Sequence, residues 1–214
     1  MNNSDAIDLA SLLCSRLCHD LLSPVGALSN GLELLADEQD REMRARCFEL
    51  LEQSAKTSAD KLKFFRLAFG AAGGFGDRVS TDEPKALVEA LVGDNSRIEL
   101  HWALAGSDLP KPAIRTMLNF AAVALDALVR GGTLDIGAEE RDGETEIVVR
   151  AAGPKIAFDE SIGSALQGDV AFAEITSRTA PAHMLYLLAD SVGGSLQYAL
   201  DDNALVLGAV LPQG

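Results

Sequence analysis

Two apolar repeats in the first third of the chain constrain its fold more than any other feature. Cys14, Cys18, Leu21, Val25, Leu28, Leu32 and Leu35 recur at intervals of 4, 3, 4, 3, 4 and 3, the period of a helix packed in a bundle. Leu13 and Leu17 widen this seam. Phe48, Leu51, Ala55, Ser58, Leu62, Phe65 and Phe69 continue the pattern at 3, 4, 3, 4, 3 and 4, and Asp37-Glu38-Gln39-Asp40 reads as the turn between. The first helix is expected to start at Ser4 or Asp5, either of which can cap it, and to end at Leu35 or Ala36. Two antiparallel helices of about 30 residues each cannot enclose their own apolar stripes. A second copy completing a dimeric four-helix bundle is the simplest cover, and the rest of the chain is the other candidate.

Within the first helix, Leu17-Cys18-His19-Asp20-Leu21-Leu22-Ser23-Pro24 places a histidine about 120° from the centre of the seam, towards water. Pro24 cannot donate to the carbonyl of Asp20, so a bend is expected beside His19. Ser15, Leu22 and Ser23 stand three or four residues from His19 and share its exposed face. An exposed leucine beside an exposed histidine points to a docking surface.

Thirty-two acidic against 18 basic residues give a formal net charge of −14, which disfavours nucleic acid as a partner. No apolar run approaches the ~20 residues of a membrane span and Met1 to Asp5 lacks a signal-peptide flank, so a cytoplasmic location is expected and no membrane partner. Cys14, Cys18 and the third cysteine, Cys47, read as free thiols. With Cys14 and Cys18 expected on the buried seam and His19 pointing elsewhere, packing is favoured over a metal site.

The run Gly70-Ala71-Ala72-Gly73-Gly74-Phe75-Gly76 reads as a linker between a helical domain, 1–72, and a second domain, 77–214. No Gly-Lys-Ser/Thr follows these glycines, which argues against a phosphate loop. Beyond it, helices are expected near 83–94, 111–130, 158–166 and 180–192. Strands are expected near 97–104, 133–138, 144–150, 195–200 and 204–211, with turns at Arg141-Asp142-Gly143 and Asp201-Asp202-Asn203. The pattern is that of helices layered on a mixed, largely antiparallel sheet, an α+β domain. His101 and His183 read as surface residues.

The His-Asp-apolar-apolar-Ser-Pro run resembles the H-box of two-component sensor kinases, whose histidine carries a phosphoryl group. The longer run from Cys18 to Leu28, followed by Asn30-Gly31-Leu32-Glu33-Leu34-Leu35, is similar more narrowly to ChpT-type histidine phosphotransferases of alphaproteobacteria. The second domain resembles the Bergerat-type ATP-binding domain of the kinases, with its nucleotide boxes altered. Asn119 keeps the first asparagine of the N-box, but the metal-coordinating asparagine falls on Val123, which offers no ligand oxygen. The Asp-X-Gly-X-Gly box falls on Ala151-Ala152-Gly153-Pro154-Lys155. The Gly-Leu-Gly-Leu turn falls on Thr179-Ala180-Pro181-Ala182, where proline lacks an N–H for a phosphate. No ATP is expected to bind this chain.

The resemblance implies a phosphotransferase in a cell-cycle phosphorelay. His19 would take a phosphoryl group from the receiver domain of a CckA-like hybrid kinase and pass it to CtrA-like and CpdR-like response regulators, with Mg²⁺ brought by the receiver. Asp20 would orient the imidazole or accept its proton, unless it is a solvated helix residue. Ser23 would contact the phosphoryl group or the backbone. Ser15, Leu22 and Gly26 would line the docking face, with Gly26 permitting close approach. Two competing readings are an ATP-dependent sensor kinase core and a receiver-docking protein in which His19 has no chemistry.

Overall fold

The first helix forms because its apolar positions repeat in phase from Cys14 to Leu35, about six turns, with Pro24 as the one proline inside it. In the computed structural model, which describes residues 3–70, 77–93 and 97–213, α1 spans Asn3–Asp37 and runs through Pro24 without interruption. Ser4 and Asp5 lie inside it rather than capping it, because the helix already starts at Asn3. Asp40 caps α2, Arg41–Phe69, by accepting from the Met43 amide at 2.8 Å. Arg44 then donates to the carbonyls of Leu35 and Glu38 at 3.1 and 2.9 Å. These bonds satisfy carbonyls that the end of α1 leaves without helical donors. The hairpin turn is thus closed from both sides.

The run 71–76, read as the core of a linker, lies outside the described residues. The chain continues with β1, Arg78–Ser80, α3, Asp82–Val92, β2, Ile98–Leu104, β3, Asp108–Pro110, and α4, Lys111–Ala127. It ends with β4, Gly132–Arg141, β5, Glu144–Ala152, α5, Glu160–Gln167, α6, Ala180–Ser191, β6, Ser195–Leu200, and β7, Ala204–Pro212. A five-stranded sheet has the order β2-β4-β5-β7-β6, with β2 and β4 parallel and every other pair antiparallel. At the β4–β5 turn, Asp142 and Gly143 take φ of 52° and 83°, the pair of positive values that a two-residue hairpin needs. The short β1 and β3 form a separate two-stranded sheet that the apolar patterns did not reveal. α4 stops at Ala127, before the glycine pair expected to end it, because Leu128 leaves helical geometry.

Leu134, Ile136, Ile147, Val149, Leu205 and Leu207 are buried beneath the helices. Glu99, His101 and Arg150 alternate onto the opposite face, which is open to solvent. His101 is a surface residue, raised above its ordinary value by Glu99, 2.9 Å from Nε2, and by Asp135, 2.7 Å from Nδ1. α4 is the axis of the domain and α2 ends upon it. Phe64, Leu67 and Ala68 of α2 join the same core as Ile114, Met117 and Leu118. Asn119, buried, donates to the Ala68 carbonyl at 3.2 Å and to Arg115 at 2.8 Å. Arg115 reaches the carbonyls of Ala68 and Phe69, placing a cation where the helix dipole is negative.

The N-terminal half of α1 also packs on the second domain. Leu9 is buried with Ile175 and Ala180, and Leu12, Leu13, Phe172 and Leu187 surround them. The second domain therefore covers part of the hairpin's apolar surface. Cys14 and Cys18, expected to be buried, are instead exposed, since the packed side of α1 is centred on Leu9, Pro24 and Leu35. His183 is a second correction. It is buried, not at the surface, because the segment carrying Phe172 folds over α6, and its ring lies 5.9 Å from both Phe172 and Tyr186.

The buried Nδ1 of His183 has no hydrogen-bond partner, and burial lowers its affinity for a proton. The unfolded chain takes up a proton near pH ~6.5 while the folded imidazole stays neutral, so stability falls as pH drops from there towards the lowered value. Replacing His183 by Leu should flatten this loss. Urea midpoints at pH about 7.5 and about 5.5 should differ less in the variant than in the wild type.

Candidate functional site

Asp20 is the centre of the site because each of its oxygens is engaged. Its Oδ1 lies 3.2 Å from His19 Nδ1, and its Oδ2 accepts from Arg16 Nε at 2.8 Å. Its backbone carbonyl, deprived of a helical donor by Pro24, accepts from Lys61 Nζ of α2 at 2.9 Å. Arg16 extends the chain of contacts to Asp126 on α4 at 3.4 Å. Asp20 thus joins α1 to α2 directly and to α4 through Arg16. An ionised carboxylate can only accept, so the Asp20 contact places the ring proton of neutral His19 on Nδ1. The lone pair is left on Nε2.

The His19 side chain is 80% exposed, whereas that of Asp20 is 21% exposed. The histidine is presented outward beside a carboxylate that Arg16 holds. Ser15, Leu22 and Ser23 are exposed around it, as the helical phase predicted, and Leu22 is 68% exposed. Neither serine hydroxyl makes a hydrogen bond among the described residues, so the structure brings together His19 and Asp20 but leaves Ser15 and Ser23 apart from them. Gly26 lies one turn beyond Leu22, and a Cβ built there meets nothing within 4 Å. The protein's own packing therefore does not require glycine at this position.

Arg16, Lys61 and Asp126 were not read from the sequence. Arg16 carried a usable signal, since it stands four residues before Asp20, the spacing of a helical ion pair. The orphan carbonyl created by Pro24 announced that a donor was needed without naming Lys61. Asp126 had no local signal.

Two of the three altered boxes, at 119–123 and 179–182, come together beside α1. Asn119, Val123 and Pro181 line a cavity of about 110 Å³ together with Arg16, Phe65 and Phe158. Ligand pockets are typically ~300–1,000 Å³. The Asn119 amide is committed to the α2 carbonyl, Val123 offers no polar atom, and Ala151 is wholly buried in β5. Arg178 and Asp159, both on the cavity wall, pair at 3.2 Å. Among the described residues no three His, Cys, Asp or Glu side chains gather to hold a metal ion, and no helix is long and apolar enough to cross a membrane.

Residues 81–204 match the family described as the histidine phosphotransferase C-terminal domain. The chain is 33% identical over 189 residues to the protein phosphotransferase ChpT of Brucella abortus (strain 2308), covering 88% of each. It belongs to the histidine phosphotransferase family. A solved bacterial phosphotransferase superimposes with a TM-score of 0.82 at 29% identity, over 95% of this chain and 96% of that one. A histidine kinase, ThkA, solved with the response regulator TrrA, shares the fold at a TM-score of 0.50 and 12% identity, over 99% of this chain and 64% of that one. The protein is thus a phosphotransferase whose helical hairpin precedes a kinase-like α/β domain.

Gly26 gives a direct test of whether the site face is shaped by this chain. Gly26→Ala should raise stability by about 0.5–1 kcal/mol, the helix-propensity gain with no clash to offset it. Chemical denaturation measures this. A loss of stability would mean that the glycine serves internal packing.

Proposed function

We propose that His19 is the phosphoacceptor of this histidine phosphotransferase and that Asp20 orients it. The observation that carries the reading is the exposed imidazole whose Nδ1 is engaged by a held carboxylate, leaving Nε2 towards solvent. An aspartyl phosphate on a receiver domain is attacked in line by Nε2. The N–P bond forms as the P–O bond to the receiver's aspartate breaks, and the aspartate leaves as a carboxylate. The ring keeps its proton on Nδ1 and becomes positively charged, and the Asp20 carboxylate stabilises that charge. Transfer onward reverses the step, with the acceptor's aspartate attacking phosphorus and neutral His19 leaving.

The receiver supplies Mg²⁺ in this scheme, and this chain binds neither metal nor ATP. Three boxes that a kinase needs lack their functional groups, at Val123, Ala151 and Pro181, and the small cavity beside Val123 and Pro181 is lined in part by Arg16 and Asp20 of α1. The donor is a CckA-like hybrid kinase receiver and the acceptors are CtrA-like and CpdR-like regulators, as the resemblance to ChpT-type proteins implies. They dock on the face of Ser15, Leu22 and Gly26, where the exposed Leu22 gives apolar contact and the glycine gives room. Ser23 lies at the edge of that face, within reach of a phosphoryl group on His19.

Transfer of labelled phosphate from a phosphorylated receiver should mark the wild type with an acid-labile label and leave His19→Ala unmarked, with ATP alone giving none. Label from ATP would make the protein a kinase core. Receiver binding without label on any variant would make it a docking protein.

The working unit in this proposal is a homodimer. Cys18, Val25 and Leu32 on α1 and Phe48, Ala55 and Leu62 on α2 repeat every seven residues and are exposed. Val25, Leu32, Phe48 and Leu62 are 50 to 61% exposed. Heptad-spaced apolar stripes on both antiparallel helices fit a second hairpin completing a four-helix bundle. Light scattering should give twice the chain mass. Val25→Glu should give one chain mass, since an unpaired buried carboxylate costs several kcal/mol.

A further inference from the structure

We infer that Lys61 is a positioning residue for phosphoryl transfer, holding the backbone that carries His19. The inference rests on the assignment of His19 as the phosphoacceptor. A proline inside a helix removes one donor and leaves the carbonyl four residues back unpaired. Here that carbonyl belongs to Asp20, and Lys61 Nζ replaces the missing amide at 2.9 Å. The bond spans the hairpin, from a residue 41 positions away in sequence.

Lys61 also stands among groups that make the bond consequential. Arg16, Asp20, Asp126, Phe64, Phe65 and Leu91 line the same cleft between α1, α2, α3 and α4. Aromatic and aliphatic walls lower the local dielectric and strengthen a charged hydrogen bond. With Arg16 on the side chain and Lys61 on the main chain, Asp20 is fixed at two points before it meets His19 at a third. Without Lys61, the freed carbonyl must take water into the helix at the turn next to His19, which bends helices. Lys61 faces the inside of the hairpin while His19 faces solvent, so the lysine acts through the Asp20 backbone and not on the phosphoryl group.

The proline itself provides the test. Pro24→Ala returns an amide hydrogen to the Asp20 carbonyl and makes Lys61 redundant. Phosphate transfer from a labelled receiver would be followed at saturating and subsaturating receiver, with thermal unfolding of every variant. Lys61→Met should slow transfer at saturation by about tenfold or more, the scale on which small misplacements act. The half-saturating receiver concentration should stay unchanged. Lys61→Arg, which keeps a charged donor, should recover most of the rate. Pro24→Ala combined with Lys61→Met should transfer faster than Lys61→Met alone.

A wild-type rate for Lys61→Met would overturn the inference, as would a defect that Pro24→Ala leaves unrelieved in a folded protein. A raised half-saturating concentration at unchanged rate would move Lys61 to docking and overturn it too. If Lys61→Met fails to fold, the double variant decides by its activity once folded. Label on His19→Ala would instead refute the phosphoacceptor assignment, whatever Lys61 does.

Discussion

The carbonyl of Asp20 is the point on which the architecture turns. Pro24 strips it of its helical partner, and the carbonyl must then find another donor, from a side chain or from water. The protein supplies that donor from α2, through Lys61. The same residue's carboxylate takes Arg16, which also reaches Asp126 on α4. A local defect in one helix thereby becomes the junction of the hairpin with the α/β domain, one residue from the exposed histidine.

This junction explains how α1 serves three surfaces at once. Leu9, Pro24 and Leu35 face the chain's own core. Cys14, Cys18, Val25 and Leu32 form an uncovered apolar stripe, and Ser15, His19, Leu22 and Gly26 occupy the side beyond it. At about 100° per residue, these sets cannot overlap on one straight cylinder. The packed face fixes the rotation of the helix, and that rotation keeps His19 in water.

The α/β domain keeps the layered frame of a nucleotide-binding fold while turning its polar positions to internal use. The Asn119 amide donates to the Ala68 carbonyl near the end of α2 and to the Arg115 carbonyl of α4. Pro181 lies in the first turn of α6, where its missing N–H is harmless to the helix, and Arg16 and Asp20 of α1 line the cavity with Val123. The domain's buried core, from Ile114 to Leu207, anchors the C-terminal end of the hairpin.

The amino-acid order alone determined the helical hairpin, its turn at 37–40, the phase that exposes His19 beside Asp20, and the positions of the main helices and of all five strands of the large sheet. These features depend on neighbours within a few residues, through helical and strand periodicity and turn chemistry. It did not show β1 and β3, whose three residues each carry too short a pattern to read. Only the tertiary structure decided which side of α1 is covered by the chain itself, and so left Cys14 and Cys18 exposed and buried His183 beneath Phe172. It also chose Lys61 and Asp126, 41 and 110 residues from their partners. The sequence could state that Asp20 needed a donor, but the identity of that donor depends on which helices pack together. That choice is made by the packing of α1 against α2.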